Sequence, residues 1–143
     1  MTHNNYDDIA SRFREFVDEM NAWEKAAAQE RKAPCNVHAG ADRYASLRRS
    51  LQVIIDKYCI VSDKTLVRVV LCAFASPPEY DNARLSIVQI DAIDDGKARL
   101  IVRDAKPRKA PIFEYLLECI GGVWLIASRS TISTSNVVEE DYV

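Results

Sequence analysis

The stretch Leu85–Asp104, LSIVQIDAIDDGKARLIVRD, decides the fold. Leu85 to Ile93 alternates as a strand, Asp95-Gly96 is a two-residue hairpin turn, and Lys97 to Asp104 resumes as the next strand. A hairpin of this kind belongs to an antiparallel sheet. Downstream, Ile112 to Ile120 reads as another strand, Gly121-Gly122 as a second tight turn and Val123 to Ser133 as the last strand. Lys106 to Pro111 is a connecting loop, and the final ten residues, ending Glu139-Glu140-Asp141-Tyr142-Val143, read as a loose acidic tail. Upstream, Thr65 to Ala75 (TLVRVVLCAFA) is apolar, β-branched and short for a helix, so it reads as a buried strand. Ser76-Pro77-Pro78-Glu79-Tyr80-Asp81 then breaks it.

The first sixty residues have a different period. From about Tyr6 to Ala33, Ile9, Phe13, Phe16, Val17, Met20, Trp23 and Ala27 recur at spacings of three and four, which predicts one amphipathic helix. Pro34 ends it, and Cys35 to Ala41 connects it to a second helix. Asp42 is the expected N-cap there, and Tyr44, Leu47, Leu51, Ile54, Ile55 and Tyr58 form its apolar face. Two helices followed by antiparallel strands define an α+β plan, with the helices packed on one face of a curved sheet. Neither a βαβ alternation nor an internal repeat is visible. The expected organisation is a single domain over residues 1–143, with its core at about 6–133 and the acidic tail at 134–143.

Composition narrows the function classes. The 143 residues are 48% hydrophobic and 28% charged, and nineteen Lys+Arg against twenty-one Asp+Glu leave a net charge of −2. A nucleic-acid-binding domain would carry a strongly basic face, which this balance does not supply. The most apolar stretch, Leu66 to Ala75, is about half the length of a membrane-spanning helix and is interrupted by Arg68. Met1 to Asp8 is polar and acidic, without the pattern of a secretory signal. Cys35, Cys59, Cys72 and Cys119 have no paired spacing. A cytoplasmic protein with free thiols is therefore expected.

Three motifs recur in a fixed order: Phe13-x-x-Phe16-x-x-x-Met20-Asn21-x-Trp23-Glu24, then Pro77-Pro78-Glu79-Tyr80, then Gly121-Gly122-x-Trp124-x-Ile126. In this order, with this plan of elements, the chain resembles the bacterial immunity proteins of nuclear transport factor 2-like fold, over roughly residues 6–133. Where relatives carry a Trp-Arg-Ile-Asp-like last strand, this chain has the more apolar Trp124-Leu125-Ile126-Ala127. The resemblance implies a cone, a strongly bent antiparallel sheet wrapped around N-terminal helices. It also implies a non-catalytic protein of polymorphic toxin systems, whose partner is a cognate toxin domain that it binds and neutralises. Phe13, Phe16, Met20, Trp23, Glu24, Pro77, Pro78, Tyr80 and Trp124 are then family-motif residues with a structural role, Trp23 anchoring its helix against the sheet. Tyr80 is expected to pack over the cone's open end, and Glu24 to face its mouth or pair with a basic side chain.

The alternative is a small-molecule enzyme or binder using the cone's cavity, as isomerases and dehydratases of the fold do. Its pocket candidates are Asp91, Arg103 and Tyr115, with Gln89 and Asp91 sharing a face with Ile87 and Ile93. An Asp91–Arg103 pair would begin a carboxylate–guanidinium site, although Arg/Asp pairs between neighbouring strands are common surface ladders. Cys35-Asn36-Val37-His38 has a C-x-x-H spacing, but a structural zinc site needs four ligands, and the other histidine, His3, is terminal. No metal and no cofactor are expected. Lys106, Arg108 and Lys109 form a short basic loop without the glycines of a phosphate cradle. A second copy of the chain is a further candidate partner.

Overall fold

The predicted apolar stripe of the first helix becomes the spine of the molecule. In the computed structural model, which describes residues 5–32, 44–75, 77–105, 111–132 and 138–141, helix α1 runs Asn5–Lys32. Ile9, Phe13, Phe16, Val17, Met20, Trp23 and Ala27 are all buried along it. Asp7 and Asp8 lie in its first turn and Arg31 and Lys32 in its last, the arrangement the helix dipole favours. Helix α2 (Ala45–Tyr58) buries Leu51, Ile54, Ile55 and Tyr58. The indole N–H of Trp23 donates to Leu47 O at 2.9 Å, and its ring stands edge-on to Phe74. Trp23 therefore ties α1 to α2 and to the segment that follows α3, a correction to its expected place against the sheet. The expected cap Asp42 lies outside the described residues, as do His3, Pro34, Cys35, His38, Ser76 and the loop 106–110.

The segment expected to be a buried strand is instead helix α3, Asp63–Leu71. Its start is fixed by a capping box. Ser62 Oγ accepts from Thr65 N at 3.4 Å, and Thr65 Oγ1 accepts from Ser62 N at 2.8 Å. Thr65, Arg68, Val69 and Cys72 then face inward at spacings of three, one and three, a helical stripe. Leu66, Val67, Val70 and Leu71 are exposed. The apolar residues do not mark the buried side of this helix, because its outward face is the more hydrophobic one. Cys72 ends the helix in the left-handed region (φ 51°), its N–H donating to the carbonyls of Arg68 and Val69.

Five antiparallel strands follow in spatial order β1-β2-β3-β4-β5: Leu85–Asp94, Lys97–Asp104, Ile112–Ile120, Val123–Ile132 and Val138–Asp141. The sheet is curled but not closed. Gly121 and Gly122, at φ 59° and 82°, make the β3–β4 turn that a side chain would strain. The expected acidic tail is in part β5, whose backbone pairs with β4 from Arg129↔Asp141 to Ile132↔Val138. Pairing covers β4's otherwise open edge, which composition alone does not foretell.

Ala98, Leu100 and Val102 of β2, Phe113, Tyr115 and Leu117 of β3, and Trp124 and Ile126 of β4 are buried on the concave face. Phe13 meets Tyr115 edge-on at 4.8 Å, and Phe16 meets both Tyr58 and Tyr80. The end of α2 is pinned to the sheet where Ile60 N donates to Ile126 O. Of three register shifts, two re-aim side chains near the core. In β1, Ile87 opposes Val102 but Gln89 opposes Ile101; in β4, Ile126 opposes Leu117 but Ser128 opposes Leu116. Each extra residue reverses which alternate positions face the helices.

The α3 capping box gives a direct test of this assignment. Ser62→Ala is expected to lower the free energy of unfolding by about 0.5–2 kcal/mol. Amide exchange should accelerate first over Asp63–Leu71, measured in urea titrations with residue-resolved hydrogen exchange. An unchanged exchange pattern would count against α3 as a capped helix.

Candidate functional site

The polar side chains that the fold gathers inside lie where α1, α3, the segment 73–80 and β4 meet. Glu24 follows Trp23 on α1 and has no solvent exposure. Its carboxyl accepts Ala75 N at 2.8 Å and Tyr80 N at 3.0 Å. The expected mouth-facing or cation-paired glutamate is therefore a backbone clamp. It satisfies two N–H groups of a chain segment that has no ladder of its own. Asn21, one turn earlier, donates to Tyr80 O at 2.7 Å.

Held by these bonds, Tyr80 is buried within the core rather than lying over an open end. Its ring packs on Phe16, and Arg68 and Arg129 face it at 5.6 and 6.0 Å. Arg129 projects inward because the β4 register shift after Ile126 places it opposite inward-facing Tyr115. Its Nη1 donates to Glu79 Oε1 at 2.8 Å and to the Tyr80 hydroxyl at 3.4 Å. Arg84 fastens the same loop from the other side, donating to Pro78 O and Glu79 O and pairing with the buried Asp104 at 3.2 Å. Pro77 is exposed and Pro78 half-buried, so the pair shapes the turn without entering the core.

A cavity of about 210 Å³ opens beside this cluster, lined by Arg68, Ala73, Phe74, Ala75, Glu79 and Arg129. A larger groove of about 480 Å³ runs between α1 and α2, past Trp23, Leu47, Val53 and Ile54.

The three candidates for a cavity reaction are not brought together. Asp91 pairs with Arg99 at 2.8 Å on the outward face, opposite it in register. Arg103 is exposed opposite Ser86, so the Asp91–Arg103 pair does not form. The β1 register shift also separates Ile87, facing inward, from Gln89 and Asp91, facing outward. Tyr115 is fully inside, against Phe13. The remaining motif side chains, Phe13, Phe16, Met20 and Trp124, are buried in the core, and the Trp124 carbonyl accepts from Arg12 Nε at 3.2 Å. No group of three His, Cys, Asp or Glu able to hold a metal occurs among the described residues.

Arg68, Arg129 and the outward face of α3 were not singled out from sequence. Ser62 and Thr65 with Asp63 between them were the available signal for α3. Nothing in the sequence marks the β4 shift that turns Arg129 inward. Leu66, Val67, Val70 and Leu71 make a contiguous exposed apolar face, with Val70 68% and Leu71 62% exposed.

The curled antiparallel sheet is thus packed on its concave side by helices and aromatic side chains, and an apolar face is left exposed on α3. The family model for NTF2 fold immunity protein matches residues 8–140, nearly the whole chain, and the chain belongs to that family. Among curated proteins and among solved structures, nothing matches it. No helix among the described residues is long and apolar enough to cross a membrane.

Removing the Glu24 clamp orphans two amides. Glu24→Ala should cost roughly 2–5 kcal/mol, and Glu24→Gln, which keeps one accepting oxygen, clearly less; urea unfolding measures both. A second expectation concerns alkaline pH. Burial pushes the Cys59 thiol from 9.0 up to about 12, and raises Tyr80 and, more strongly, Tyr115. Because these folded-state values exceed the unfolded ones, their stabilisation is complete below about pH 9 and is lost as pH rises toward 12. The urea midpoint should therefore fall between about pH 8 and about pH 11, and Cys59→Ala should flatten the fall.

Proposed function

We propose that this protein neutralises a cognate toxin domain of a bacterial polymorphic toxin system by binding it, and that it does so in the cytoplasm without catalysis of its own. The observation that carries the reading is the outward face of α3 in a chain of the immunity-protein family. Four large apolar side chains on a nine-residue helix are exposed where polar ones would keep a surface inert. The buried stripe of the same helix is Thr65 and Arg68 with Val69 and Cys72, so the hydrophobic pattern points away from the protein's own core. A partner that covers Leu66, Val67, Val70 and Leu71 would remove that surface from water, and the affinity would concentrate in those few side chains. The thiols of Cys59, Cys72 and Cys119 are free, which suits a reducing compartment.

Occlusion of a toxin's active site needs a rigid surface more than a reactive one. The capping box at Ser62 and the αL stop at Cys72 hold α3 to a fixed length. The amide cluster around Glu24 fixes the chain immediately after it. The face is thus presented in one conformation, which limits the ordering cost of association.

If a gene for a large secreted protein adjoins this one, co-expression with the C-terminal domain of its product should rescue growth and yield a co-purifying complex. The Leu66→Asp/Val70→Asp double variant should fold with an unchanged melting temperature and bind at least about a hundredfold more weakly. Absence of rescue by the wild type overturns the immunity reading. Undiminished rescue by the double variant moves the binding surface off α3. Light scattering of the isolated protein shows whether a second copy occupies the face instead.

A further inference from the structure

We propose that the cavity between α3 and β4 is a binding site for a carboxylate group, with Arg68 as the residue that recognises it. The inference is independent of the toxin reading and rests on a guanidinium that the fold buries without satisfying. Arg68 is 6% exposed, and its Nε, wholly shielded from solvent by the protein, has no hydrogen-bond partner among the described residues. The Tyr80 ring, 5.6 Å away, attracts the cation but accepts none of its directed N–H bonds. Burying an arginine in this way is unfavourable unless an anion arrives.

The acids that could serve as that anion are committed elsewhere. Glu79 is bonded to Arg129 at 2.8 Å, and Arg84 holds its carbonyl and that of Pro78, which fixes the loop in this position. Glu24 lies behind the cavity wall with its two oxygens on Ala75 N and Tyr80 N. The lining therefore carries two guanidiniums to one carboxylate. With Nε shielded by protein, the Nη end of the guanidinium is the part open to a ligand, and its two parallel donors match the spacing of the two oxygens of a carboxylate. Ala73, Phe74 and Ala75 supply an apolar wall for the rest of the molecule, and about 210 Å³ admits an acid of a few heavy atoms. The same chemistry is offered by a free small acid and by the tip of a Glu side chain on a partner protein.

The test uses the full-length protein titrated with acetate at constant ionic strength, with chloride as the reference anion. The Arg68 guanidinium resonances in nitrogen-15 spectra should move saturably with acetate, and the melting temperature should rise with it. Arg68→Met, which keeps the apolar stem, should melt in chloride at or above the wild-type temperature and lose the acetate response. A purely structural arginine would give the opposite, a lower melting temperature in chloride. Arg68→Lys should bind acetate at least about tenfold more weakly, since a single ammonium lacks the paired donors. Comparing acetate with acetyl-Gly-Glu-Gly-amide identifies the source, the tighter of the two naming a free acid or a partner's side chain. The absence of a saturable shift with either probe, or a shift with inorganic phosphate and with neither carboxylate, overturns the proposal. If Arg68→Met fails to fold, the wild-type titration and Arg68→Lys still decide it.

Discussion

The structure depends on one buried carboxyl group. Glu24 sits midway along a polar-looking turn of α1, yet both of its oxygens are committed to the amides of Ala75 and Tyr80. Ala75 and Tyr80 lie in no helix or strand, so their N–H groups have no ladder partners and are met by a side chain. Fixing Tyr80 in the core fixes Glu79 beside it, and Glu79 in turn orients Arg129 across the sheet. Arg84 and the buried Asp104 close the same loop from β1 and β2. A helix, a loop and strands β2 and β4 are thereby held in one hydrogen-bonded unit. Such a network is costly when any member is missing, because each remaining polar atom would then be buried without a partner.

Much of the frame was legible because it rests on local rules. The hairpin at Asp95-Gly96, the turn at Gly121-Gly122 and the limits of β2 and β3 follow from turn chemistry and alternation. The stripe from Ile9 to Ala27 follows from helical spacing. What escaped depends on tertiary context. A one-residue bulge leaves no mark in an alternating sequence, yet it turned Arg129 inward and moved Gln89 and Asp91 to the outside. Trp23 was recognisable as an anchor, but which neighbour accepts its N–H is decided by how α2 approaches, and that neighbour is Leu47.

The misreading of α3 has a different origin. Pattern reading assumes that apolar residues point inward, and here the inward stripe contains Thr65 and Arg68 while Leu66, Val67, Val70 and Leu71 point outward. The helical period is present but inverted, its more hydrophobic face outward, and β-branched Val67, Val69 and Val70 tip the reading toward a strand. Local signals and the global fold usually agree, and their conflict tends to fall at functional positions. An exposed apolar face on a helix that also carries a buried arginine violates two such rules within nine residues.

Those two violations are also spatially linked. The concave side of the sheet is occupied by Phe13, Phe16, Tyr58, Tyr80 and Tyr115 in edge-to-face contact, so the middle of the cone is filled. Space for a ligand lies instead at the rim, where Ala73 to Ala75 leave α3 and pass Arg68 on the way to Tyr80. Stabilising the aromatic centre and exposing chemistry at its edge are compatible because Tyr80 serves both. One face of its ring environment is the Phe16 contact, and the arginines approach the rest. Substituting the aromatic centre would therefore disturb the rim, whereas substituting Leu66 or Val70 on α3's outer face should leave both intact. The exposed apolar area and the open space of this chain thus lie at the rim of the cone and on the short helix that borders it, and its centre is packed.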